Sequence, residues 1–138
     1  MRLWHHEIID LLPKSQLLAQ WRELNSVFAK EDRHILINYI YEYPKGHLFA
    51  YTNRVLQEMR ARGINIRTLD KMDRYFSDLE QQLLIENPFP LHHNDEYFEI
   101  CFFNLKEKFL RGQKDFDRER FEKLEDRYTT IQAKKDMV

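Results

Sequence analysis

Lys14-Ser15-Gln16-Leu17-Leu18-Ala19-Gln20-Trp21-Arg22-Glu23-Leu24-Asn25-Ser26-Val27-Phe28-Ala29-Lys30 is the stretch that decides the fold class. Leu17, Trp21, Leu24 and Phe28 recur at steps of three and four, which gathers them into one apolar stripe along a helix. Pro13 immediately upstream suits the start of that helix, because its fixed φ and missing N–H are harmless in a first turn. At about 100° per residue, Arg22 and Glu23 fall on opposite flanks of the stripe. The charged pair is therefore able to border a cleft without entering the core.

The same reading extends in both directions. Residues 1 to 13 are expected to form an irregular or short helical lead-in. His34 to Tyr43, before Pro44, is apolar and short, and its periodicity does not decide between helix and strand. From Gly46 to Arg62, Leu48, Val55, Leu56 and Met59 repeat at helical spacing, with Arg62 as a cationic last turn and Gly63 as a left-handed cap. Thr68 to Leu84 is expected to be an acidic helix stopped by Asn87-Pro88-Phe89-Pro90. Asn94 caps a helix on which Tyr97, Phe98, Cys101, Phe102, Leu105 and Phe109 cover so much of the circumference that it belongs at the centre of the core, and Gly112 ends it. Asp115 to about Lys135 reads as a charged last helix with Phe116, Phe121, Leu124 and Tyr128 as its apolar contacts. Three glycines and four prolines are few for strands joined by tight turns. The expectation is a compact, all-α single domain over 1–138, with helices near 14–30, 46–62 and 94–111 forming the core and 115–138 as a charged terminal helix.

Composition narrows the function classes. The 138 residues are 43% hydrophobic and 14% aromatic, enough to fill a core. No apolar run approaches the roughly 18 residues of a membrane span, and no charged-then-apolar leader opens the chain, so a cytoplasmic protein without a membrane partner is expected. Cys101 is the lone cysteine, which excludes an internal disulfide, and its aromatic neighbours make it a small core residue. A net charge of −1 lacks the basic excess typical of nucleic-acid binders. The charge is nevertheless uneven: residues 45–67 carry Lys45, Arg54, Arg60, Arg62 and Arg67 against Glu58 alone, whereas residues 70–99 hold eight acids against two bases. The pairs His5-His6 and His92-His93 are adjacent, so on a helix neither offers the i, i+4 face of a zinc site. Glycine-rich phosphate loops, Cys-x-x-Cys and a Ser-His-Asp order are absent from the sequence; neither metal nor cofactor is expected.

One ordered pattern remains: Met1-Arg2-Leu3-Trp4-His5, then Gln16 to Leu24, then Val27-Phe28, His34 and Arg62-Gly63-Ile64-Asn65-Ile66. It resembles the pyrimidine-dimer DNA glycosylases of the phage endonuclease V type, and more closely a bacterial branch opening with Arg-Leu-Trp-His. His92 or His93 followed by Asn104-Leu105-Lys106-Glu107-Lys108 looks like that family's third helix, so about half of the chain is covered. The resemblance implies a compact helical fold of that type, damaged double-stranded DNA as partner, no cofactor and a monomer. It also implies that the chain's own α-amine, on Met1, attacks the sugar C1′ and that Glu23 is the catalytic carboxylate. Arg2 and Arg22 map onto phosphate-binding arginines and Lys108 onto a further basic contact; Asn104 stands where the family has an arginine, and His34 matches a family histidine. An α-amine suits this chemistry. With an ordinary pKa of about 7.7 to 8.0, roughly a tenth is neutral at pH 7, against less than one part in a thousand of an ordinary lysine.

The chain also departs from the family. Met1 takes the place of a threonine exposed after methionine removal, and the bulk of Arg2 is expected to block such trimming here. Gln16 replaces a histidine, Ser26 a basic residue, and Asp115-Phe116-Asp117 an aromatic, basic segment. Each change is expected to lower DNA affinity. Two other readings stay open on sequence: a non-catalytic nucleic-acid-binding module using the 45–67 stretch, and a protein-interaction domain favoured by the neutral charge and the acidic 70–99 segment.

Overall fold

A computed structural model describes residues 1–80 and 85–137, and every regular element among them is helical. The order is α1 (Lys14–Lys30), α2 (Lys45–Ala61), α3 (Asp70–Tyr75), α4 (Asp95–Leu110) and α5 (Arg118–Asp136), with short 3-10 turns at Ile9–Leu11 and Asn38–Glu42. The protein is all-α, as its sequence predicts. The ambiguous His34–Tyr43 segment resolves into an exposed turn and the second 3-10 helix. The acidic helix expected over 68–84 is shorter: it spans Asp70–Tyr75, with Met72 as its one buried residue, and passes into a turn after Phe76. Such a segment lacks the apolar stripe needed to hold more turns against the core. The end of that expectation, residues 81–84, lies outside the described residues.

Caps explain several boundaries. Asn94 accepts from the Tyr97 amide at 2.9 Å and Asp117 from the Arg120 amide at 2.7 Å, so α4 and α5 each start on a side chain that satisfies an otherwise orphaned N–H. No residue adjacent to the start of α1 does this. Its cap arrives from 100 residues away, where Asp115 accepts from the Ser15 amide at 2.7 Å and from the Ser15 hydroxyl. Phe116 between the two aspartates is buried in the core. Asp115-Phe116-Asp117 is thus a folding device: it caps two helices and pins the chain between them. At its other end α1 stops on Glu31, whose backbone is left-handed (φ 50°) and whose N–H returns to Val27 O.

α1 packs against α2 and α3, and α4 against α5. The lead-in threads between these groups. Leu3, Ile8 and Leu12 are completely buried, each worth about 1.5–3 kcal/mol. A buried segment without regular structure has to find partners for its backbone groups elsewhere, and here side chains from four helices supply them. Gln20 of α1 donates to Arg2 O, Tyr97 of α4 to Leu3 O, and Tyr51 and Arg54 of α2 to Trp4 O and His6 O. Arg127 of α5 donates to Glu7 O, and Arg62 and Arg120 both reach Asp10 O. Side-chain hydrogen bonds thus tie the lead-in backbone from Arg2 O to Asp10 O, and the position of the chain's first residue follows from that.

Candidate active site

The lead-in delivers Met1 to a cleft of about 390 Å³ lined by Met1, Arg2, Trp4, Gln16, Ala19, Glu23, Leu36, Asn104 and Lys108. Four sequence-predicted residues, Met1, Arg2, Glu23 and Lys108, meet there from three separate elements, and Asn104 joins them. Met1 is exposed; Arg2, Glu23 and Lys108 are half-buried. Arg22 points from α1 to solvent and does not line the cleft, although its charge is felt at Glu23. His34 is exposed beyond the cleft, where its Nδ1 accepts from the Leu36 amide at 3.1 Å and its own amide donates to Asn38. It builds the turn that carries Leu36 to the cleft wall. Asn104 uses its side-chain N–H on Ile100 O, one turn back along α4.

Burial pushes the Glu23 carboxyl above its ordinary range, opposed first by the N-terminal ammonium, then by the Arg2 backbone amide and Arg22. The ammonium is thus near enough for its field to act on the carboxylate, yet the two form no direct ion pair. Both groups line the same cleft. Arg2 and Lys108 make no ion pair among the described residues either; Arg2 lies 5.7 Å from the centre of the Tyr97 ring. The cleft thus brings together an amine, a partly desolvated carboxylate and two cations that make no ion pair among the described residues.

Gln20 escaped the sequence reading. It is fully buried, whereas Trp21, placed in the apolar stripe, is only half-buried. The true buried face runs through Leu17, Gln20, Leu24, Val27 and Phe28. A polar residue in the register of that stripe, three after Leu17 and four before Leu24, was the available signal. The Gln20 carboxamide has all its capacity in use. Oε1 accepts from Trp4 N at 2.8 Å and from the Tyr51 hydroxyl at 2.9 Å; Nε2 donates to Arg2 O and to Glu23 Oε2, both at 3.1 Å. Tyr51 shares its proton between Gln20 and Trp4 O, the latter at 2.6 Å.

A second cleft, larger at about 550 Å³, opens on another part of the lead-in and is lined by His6, Glu7, Ile9, Asp10, Arg54, Gln57, Glu58, Ala61 and Arg127. Apart from Glu7, its charged side chains are already engaged. Arg127 forks onto both Asp10 oxygens at 2.7 and 3.1 Å, Arg54 donates to His6 O, and Glu58 holds Arg62 at 2.6 Å. Lys45 likewise reaches Tyr75 O and Asp78. Of the cations in the 45–67 stretch only Arg60 and Arg67 stand exposed, so its other charges work inside the fold.

The histidines meet in an unexpected way. His5 and His6 lie outside any helix, and with His93 they form a buried group in which one ring nitrogen of each lies within 4.8 Å of the others. The helical argument that an adjacent pair offers no i, i+4 face does not bear on them, because none of the three is in a helix. The rings stack, however, with interplanar angles of 20° for His5–His6 and 6° for His6–His93. Lone pairs of stacked rings lie in parallel planes and do not converge on one ion. His93 is engaged at both nitrogens, by the His6 amide at 3.3 Å and the Tyr39 hydroxyl at 2.7 Å. Burial holds the three rings neutral, lowering His5 to about 4, His6 to about 3 and His93 to about 2. Cys101, also completely buried, has its thiol pushed up to about 11 by the same cause and is a core residue.

No helix among the described residues is long and apolar enough to cross a membrane. No curated protein and no solved structure matches the chain. The family described as pyrimidine dimer DNA glycosylase matches residues 1–72, the span that holds Met1, Arg2, Gln20, Arg22 and Glu23 but neither Asn104 nor Lys108. With more than half of its 138 residues matched, the chain belongs to the pyrimidine dimer DNA glycosylase family.

Proposed function

We propose that this protein is a DNA glycosylase with abasic-site lyase activity, in which the Met1 α-amine is the nucleophile and Glu23 the catalytic carboxylate. The observation that carries the reading is that Met1 and Glu23 line one cleft, with Arg2 and Lys108 beside them and free of counter-charges among the described residues. In the first step the neutral amine forms a bond to C1′ of the damaged nucleotide. The bond from C1′ to the base breaks, and the base leaves with that electron pair and a proton. Opening of the sugar ring protonates O4′, and loss of a proton from nitrogen gives the iminium. A proton then leaves C2′, the C3′–O bond breaks, and the 3′ phosphate departs with its electron pair. Water finally hydrolyses the imine and frees Met1. On an abasic site the amine adds to the C1′ aldehyde with loss of water, and the elimination is the same.

Glu23 suits two roles in these steps: its anion stabilises the cation developing at C1′ and its oxygens move protons on and off the sugar. Partial burial raises its proton affinity and makes it the better base. Arg2, Arg22 and Lys108 take phosphates on either side of the displaced nucleotide, and Asn104 and His34 offer weaker contacts at the margin. Borohydride reduction tests the reading, because it converts the imine to a stable protein–DNA adduct. Adducts with duplexes bearing an abasic site or a cyclobutane dimer are expected for the unmodified protein. An N-terminally blocked form is expected to give none. Trapping on the abasic duplex alone would keep the lyase and remove dimers from the substrate range; no adduct from protein with a verified free amine would overturn the mechanism.

A further inference from the structure

Gln20 is a single buried side chain bonded both to the segment carrying Met1 and to Glu23. It sits one turn before Glu23 on α1, so its Nε2 reaches the carboxylate at 3.1 Å while its second N–H takes Arg2 O, one residue from the amine. Its oxygen holds Trp4 N, and Tyr51 of α2 ties Gln20 to Trp4 O through a shared proton. From this geometry we infer that Gln20 is the positioning residue of the reaction, fixing how far the Met1 amine stands from the Glu23 carboxylate and in what direction. The inference rests on the proposed amine mechanism.

A plain core role does not account for this arrangement. An apolar residue at position 20 would complete the stripe with Leu17 and Leu24, whereas a carboxamide here is buried only because four hydrogen bonds satisfy it. Two of the four end on the lead-in, next to the nucleophile, and one on the carboxylate. The lead-in backbone has many other anchors downstream, from Leu3 O to Asp10 O. Between the amine and those anchors, Gln20 is the side chain among the described residues that holds the backbone of Met1-Arg2. The nucleophile and the carboxylate stand on different elements, and a displacement of about 1 Å between reacting groups is enough to lower a rate about 100-fold.

Gln20→Met keeps length and volume and removes all four hydrogen bonds. Single-turnover borohydride trapping on an abasic duplex is expected to slow about 100-fold. Affinity for a duplex with a non-reactive tetrahydrofuran abasic analogue is expected to stay within about 3-fold, since Arg2, Arg22 and Lys108 remain. The acidic limb of the pH–rate profile is also expected to move to higher pH, because the ionised carboxylate loses a donor. The charged and titratable groups facing Glu23 are the Met1 ammonium and Arg2 from the lead-in, Arg22 on its own helix, Lys108 on α4 and the Tyr51 hydroxyl on α2; all are unchanged in this variant. If Gln20→Met does not fold, Tyr51→Phe carries the test, with about 3- to 10-fold slower trapping expected from loss of the hydroxyl that it shares between Gln20 and Trp4 O. Wild-type trapping rates together with an unmoved acidic limb in a folded variant would overturn the role of Gln20 and leave the amine mechanism standing. Failure of the unmodified protein to trap would overturn both, which separates the two outcomes.

Discussion

The two clefts along the lead-in differ in a way that volume does not report. The larger one holds two arginines and three acids, yet Arg127 is forked onto Asp10, Glu58 is tied to Arg62, and Arg54 serves a backbone carbonyl. The smaller one holds Met1, Arg2, Glu23 and Lys108 with no ion pair among the described residues. Charge that is already satisfied stabilises a fold; charge held near a partner without touching it is available to a ligand. The lead-in separates the two because one segment presents its carbonyls to α2 and α5 on one part of its length and its terminus to α1 and α4 on the other.

The largest consequence of this difference falls on Glu23. Glu23→Gln keeps the shape and removes the base, and turnover on an abasic duplex is expected to fall about 10³-fold while affinity for an unreactive duplex changes little. Acid stability comes next and probes the wall of the other cleft. His5, His6 and His93 stay neutral in the fold down to about 4, 3 and 2, against 6.5 for an ordinary histidine. Between those values the unfolded chain binds protons that the folded one does not, so stability is complete above pH 6.5 and falls as the pH drops through about 4 and below. Melting temperature against pH reads this directly, and a flat profile from pH 7 to pH 4 would contradict the buried stack. Smaller effects are expected from Arg22→Ala and Lys108→Ala. Each is expected to weaken binding to any duplex and to lower the slope of log affinity against log salt by about one. Smallest of all, Arg127→Ala in the larger cleft is expected to leave trapping unchanged and to lower stability by no more than about 1 kcal/mol, since the Asp10 pair is partly exposed. A loss of trapping there would mean that the wrong cleft carries the chemistry.

Long periodic helices were legible from sequence because their burial is local and repetitive. α1 matches its expected bounds, α2 and α4 lie within a residue of theirs, and the Asn94 cap and the left-handed Gly63 occur where composition placed them. The lead-in was legible only as irregular. Its order comes from Gln20, Tyr51, Arg54, Tyr97 and Arg127, spread over more than a hundred residues, and pairings of that separation leave no period. The α1 cap failed to show for the same reason, since its donor is Ser15 and its acceptor Asp115. Met1, Arg2, Glu23 and Lys108 come from the resemblance, and the fold brings them to one cleft. Arg22 and His34 came from the same source and stand outside its lining. Gln20 was hidden because hydropathy ranks a glutamine as surface, whereas its register said core. Ser26 and Asp115, which seemed only to remove positive charge, hold Asp32 and the start of α1.

The most direct measurement is the position of the borohydride-reduced adduct, read by mass spectrometry of the digested protein after trapping on an abasic duplex. The added sugar is expected on the α-nitrogen of Met1, in a protein whose intact mass shows that Met1 is retained and free. An adduct on the Lys108 side chain, in the same cleft, would contradict the α-amine as nucleophile.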